Sequence, residues 1–150
     1  MKPDERAAFA ERWIEDHGPF VPIRRAAVDN DQDEALALET LRRMVLIAAT
    51  DGQPAERDRI IAACRADFRV WRDNWVTCYS DIRAAWVPYV AHDYQDGAQA
   101  LYLGLDGLRR PASQELYFVG VEASRFTGKT LTFLVSALWA WQFADGPRLQ

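Results

Sequence analysis

The chain has 150 residues, 49% of them hydrophobic types and 27% charged, and a formal net charge of -4. That length and balance fit one globular domain and exclude a disordered chain, a collagen and a disulfide mini-protein. With 22 acidic against 18 basic residues, and Arg24-Arg25, Arg42-Arg43 and Arg109-Arg110 only as isolated pairs, no basic stripe is present and nucleic acid is not an expected partner.

The first predicted helix runs from Asp4 to Asp16, with Phe9 and Trp13 on its apolar side. Gly18 and Pro19 end it, because glycine accepts a left-handed cap and proline cannot continue the helix. Pro19 and Pro22 favour an extended passage over residues 20–28. Asn30 or Asp31 then caps a second helix whose first turn holds Asp33 and Glu34, where the helix dipole favours acids. Leu36, Leu38, Leu41 and Val45 carry that helix on until Gly52, and its apolar second half, Met44 to Ala49, is expected to be buried on most sides.

Pro54 suits the first position of a third helix, along which Ile60, Ile61, Cys64, Phe68, Trp71 and Trp75 recur at helical spacing. Tyr79, Ile82, Trp86, Val90 and Tyr94 repeat at three and four residues. They predict a fourth helix capped by Thr77 or Ser80, kinked at Pro88 and ended by Gly97.

After Gly97 the pattern shifts to a period of two. Ala98–Leu105 and Gln114–Ala123 are strand candidates, with Asp106-Gly107 as a hairpin-type dipeptide between them. Leu131, Phe133, Val135, Ala137, Trp139, Trp141 and Phe143 share one parity, which predicts a long half-buried strand; a helix over Leu131–Phe143 is the competing reading. Residues 1–75 hold 27 charged and 6 aromatic residues, residues 76–150 hold 13 and 12. The expected fold is therefore α+β in a single domain, 1–150: N-terminal helices (about 1–96) packed on a C-terminal antiparallel β-sheet (about 98–144).

Few motifs carry chemistry. Ala123-Ser124-Arg125-Phe126-Thr127-Gly128-Lys129-Thr130 fits the permissive phosphate-loop pattern. Against that function stand Ala123 in place of the first glycine, the short stretch after Thr130, and the expected strand where a phosphate loop must open a helix; a hairpin turn is preferred. Cys78-Tyr79-Ser80-Asp81 has no neighbouring base, so Ser80 reads as a cap. Asp29, Asp31, Asp33 and Glu34 lack the glycine and the final glutamate of a calcium loop. Cys64 and Cys78 have no zinc spacing. No catalytic residue, metal or cofactor is expected. The N-terminus lacks an apolar leader and the longest apolar run is too short for a membrane helix, so a cytoplasmic protein with reduced thiols and no membrane contact is predicted.

Two readings of function remain. In the first, this is a small acidic domain that docks on a larger protein partner, as inhibitor or immunity proteins do, through Asp29, Asp31, Asp33 and Glu34 and the aromatic residues Trp71 and Trp75. In the second, it is a small pocket enzyme (hydrolase, isomerase or cyclase) whose helices fold over a curved sheet, with His92, Asp93, Tyr94, Trp139 and Trp141 at the cavity.

Overall fold

A computed structural model describes residues 1–103 and 129–143. The chain divides into two compact units, Met1–Val90 and Ala91–Gln150. The first contains α1 (Pro3–His17), a 3-10 turn (Arg25–Val28), α2 (Gln32–Thr50), α3 (Pro54–Ala66), α4 (Phe68–Trp75) and the strands β1 (Thr77–Ser80) and β2 (Ala85–Pro88). The described part of the second contains α5 (Asp93–Leu103) and α6 (Lys129–Phe143).

Among the described residues the fold is mostly helical, and its β-structure is one two-stranded antiparallel hairpin in mid-chain. The expected C-terminal sheet is corrected on two counts. Ala98 to Leu103, expected as a strand, continues α5, and Leu131 to Phe143 lies in α6. The alternation in the latter stretch comes from a composition that is apolar at almost every position. Length decides the state: α6 runs 15 residues, well beyond an ordinary strand. Its inward face is Thr132, Val135 and Ser136, at helical spacing. The strand expected over Gln114–Ala123, the Asp106-Gly107 turn and residues 123–128 of the phosphate-loop pattern lie outside the described residues. Since α6 begins at Lys129, the objection to that pattern based on a following strand does not stand.

Helix starts and stops are set by local chemistry. Pro3 occupies the first turn of α1, the Lys2 amide donates to Glu5 Oε2 at 2.9 Å, and Gly18 at φ 90 closes the helix. Asp31 caps α2 by accepting the Asp33 and Glu34 amides at 3.0 and 3.1 Å. The helix expected to run from Pro54 through Trp75 is broken at Asp67, which ends α3 and caps α4 by accepting the Arg69 amide at 2.8 Å.

The helix expected over residues 79–94 is instead the hairpin as far as Pro88, and Tyr94 lies in α5. Tyr79 and Trp86 are cross-strand partners, not turns of one helix, and their rings meet edge to face at 5.8 Å. Pro88 stands opposite Thr77, and Gly97, expected to end a helix, lies inside α5.

The core of the first unit is unusual in its chemistry. α2 buries Ala35, Leu38, Glu39, Arg42, Arg43 and Leu46, a regular helical stripe with charges at half its positions. The second half of α2, expected to be enclosed, exposes Met44, Val45, Ile47, Ala48 and Ala49. In the second unit α5 packs on α6 across a polar seam, where buried Gln99 donates to the Thr132 carbonyl at 3.1 Å and Ser136 to the same carbonyl at 3.2 Å.

Candidate functional site

The hairpin owes its placement to the charged core. Glu39 is fully buried; its Oε2 accepts the Ile23 amide at 2.8 Å and Arg42 Nε at 2.9 Å. Its Oε1 accepts Arg42 at 2.6 Å and Arg43 Nε at 2.8 Å. Three buried guanidiniums (Arg42, Arg43, Arg72) share this core with two carboxylates, Glu39 and Asp73. Arg72 forks onto Asp73 at 2.7 and 3.0 Å and lies over the Phe68 ring. Much of the remaining donor capacity goes to carbonyls at or just past helix ends, which have no acceptor role within the helix. Arg42 donates to Pro19 after α1 at 2.6 Å and to Asn74 Oδ1 at 2.7 Å. Arg43 donates to Asp73 in the last turn of α4 at 3.0 Å and to Val76 just after it at 2.6 Å, where the helix dipole favours a cation. Burial lowers the Arg43 pKa, and the Glu39 carboxylate opposes that shift.

One further bond from Arg43 reaches the Tyr89 carbonyl at 3.2 Å. Val76 and Tyr89 face each other at the base of the hairpin, where the Tyr89 amide donates to the Val76 carbonyl at 3.0 Å. A single buried side chain therefore holds both ends of the hairpin. At the other end, Arg83 of the turn pairs with Asp33 at the start of α2.

Between those two anchors lies an exposed apolar face. Ile82 is 94% exposed, Trp86 71% and Tyr79 52%. Trp86 and Ile82, counted in sequence among the apolar positions of a helix, are thus surface groups. The acids lie at and just before the start of α2, where Asp33 pairs with Arg83 of the hairpin turn. Asp29, in left-handed backbone at φ 50, and Asp31 and Asp33 are exposed. Glu34 is held by Arg6 through a paired contact at 2.9 and 2.6 Å, which also keeps its carboxyl below the usual range. Of the four acids expected at a partner edge, one therefore caps α2 and two are paired within the chain.

The other expected site residues lie on α4, at the start of α5 and on α6. Trp71 is half-buried with its ring tilted against Phe68, and Trp75 is half-buried beside Cys64. In the second unit, His92, Asp93 and Tyr94 are exposed at the start of α5, with His92 and Tyr94 stacked at 5.5 Å. Trp139 is half-buried against Phe143 and Trp141 is 62% exposed. Among the described residues no group of His, Cys, Asp and Glu could hold a metal ion, and no helix is long and apolar enough to cross a membrane.

No protein-family model matches the chain, and neither does any curated protein or solved structure. The functional reading therefore rests on this surface alone.

Proposed function

We propose that the chain is a small acidic protein-binding domain of the inhibitor or immunity type, docking on a larger cationic partner through the hairpin and the neighbouring start of α2. One observation carries the reading: Tyr79, Ile82 and Trp86 are presented to solvent on a short hairpin that is tied down at both ends. Large aromatic groups dominate binding energy at protein interfaces, and groups held in place before binding lose less entropy when they dock. Asp29 and Asp31 are exposed near the start of α2, whose Asp33 pairs with Arg83 of the hairpin turn, and they supply negative charge that steers a basic partner.

The test is capture from the native host with the intact chain and with an Ile82→Ser/Trp86→Ala variant. The reading expects one protein retained in stoichiometric amount by the natural chain and lost from the variant, with the far-ultraviolet circular dichroism unchanged. Equal retention by both overturns it. So does a small molecule copurifying with no protein, which would favour a pocket near His92, Asp93, Tyr94, Trp139 or Trp141 instead.

A further inference from the structure

The two edges of the hairpin differ. The Tyr89-to-Val76 hydrogen bond fixes the alternation, so Cys78 and Ser80 direct their backbone groups toward β2, and Thr77 and Tyr79 direct theirs away from it. On β2 the outward positions are Trp86 and Pro88. Pro88 has no N–H to offer, and β2 packs against α2 and α4, so that edge is blunted. On β1 both outward residues keep donor and acceptor. The strand Thr77-Cys78-Tyr79-Ser80 carries no charge and no proline, the features that guard an edge against pairing. Among the described residues its one partner is β2.

We propose that β1 pairs antiparallel with β1 of a second copy of this chain, joining two hairpins into a four-stranded sheet about a two-fold axis. The strand is suited to itself. The outward residues are Thr77 and Tyr79, so the register using both sets Thr77 of each copy against Tyr79 of the other. The axis then passes between the two Cys78 residues. They form a non-hydrogen-bonded pair, the kind in which opposed side chains approach most closely. An uncharged strand brings no like charges together at this contact. The pairing engages Tyr79, which the reading above also uses, but not Ile82 or Trp86, so the Ile82→Ser/Trp86→Ala variant tells the two apart: it is expected to dimerise and to lose the host partner.

The experiment is sedimentation of the intact chain over a concentration series, joined to thiol cross-linking with a short bis-methanethiosulfonate reagent. The expected result is a concentration-dependent doubling of mass and a covalent dimer lost in Cys78→Ser but kept in Cys64→Ser. Thr77→Pro removes an outward N–H that the β1–β2 ladder does not use, and Val76 at φ -82, ψ 130 already has the backbone that a following proline requires. This variant is expected to be monomeric. A chain that stays monomeric throughout the series overturns the proposal, as does a Thr77→Pro variant that still doubles its mass. Should Thr77→Pro fail to fold, the cross-link decides: a dimer that does not link through Cys78 overturns the pairing.

Discussion

Arg43 donates from the middle of α2 to the carbonyl of Tyr89, 46 residues further along the chain, at 3.2 Å. The contact ties the hairpin to the helix core through a group that the first unit keeps buried. A side chain so placed serves as a structural hub: Glu39 supplies its counter-charge, and the ends of α4 and the hairpin supply its acceptors.

Replacing Arg43 with methionine keeps most of its length and removes every donor. Carbonyls of Asp73, Val76 and Tyr89 then lose a partner, and Glu39 keeps Arg42 alone among its cationic partners. Breaking a buried ion pair from one side costs about 3–5 kcal/mol. Urea unfolding should show a loss of that size, and amide exchange at Val87 should speed up beyond the exchange of α1.

Several helix ends of the first unit were legible in sequence; the hairpin, the charged core and α6 were not, and the failures have physical causes. The caps at Asp31, Gly18 and Pro54 followed from local chemistry, and the structure places them as expected. The hub was not legible. Arg42 and Arg43 read as an isolated basic pair, although Glu39 stands three and four residues before them on the same helix; the signal was a carboxylate at that spacing on a face that also carries Leu38 and Leu46. The hairpin was missed because Tyr79, Ile82 and Trp86 happen to fall at three- and four-residue intervals, while its turn, Asp81 to Ala84, holds no glycine. The α6 segment misled in the opposite sense, since a nearly continuous apolar run satisfies either period. Of the expected partner residues, Asp31, Asp33 and Glu34 lie where the α2 cap put them, whereas the exposed aromatic groups of the hairpin required the fold to be known.

Two positions carry residues poorly matched to their backbone. Ala84 closes the hairpin turn at φ 48, a left-handed conformation that costs an L-residue about 1–2 kcal/mol. Gly97 lies inside α5 with nothing within 4 Å of an added Cβ, where glycine costs about 0.5–1 kcal/mol relative to alanine. Ala84→Gly and Gly97→Ala should each raise the thermal midpoint. A drop in either would contradict the assigned backbone.

Acid should cost stability at the Arg6–Glu34 contact. The hydrogen bond from Arg6 holds the Glu34 pKa below its ordinary value. A depressed carboxyl stabilises the fold at pH values above the ordinary one, and that contribution is lost as pH falls through the depressed value. Unfolding between pH 7 and pH 3 should therefore cost the natural chain more stability than Arg6→Ala, whose Glu34 has no such bond to lose. Parallel pH profiles for the two would remove Arg6 as the cause.

The most direct test of the binding surface is hydroxyl-radical footprinting of the chain, free and in complex with the protein it retains from its host. Bound partner should sharply reduce labelling of Tyr79, Ile82 and Trp86 while leaving exposed Met44 and Ile47 unchanged. Undiminished labelling of all three hairpin residues in a saturated complex would contradict the account.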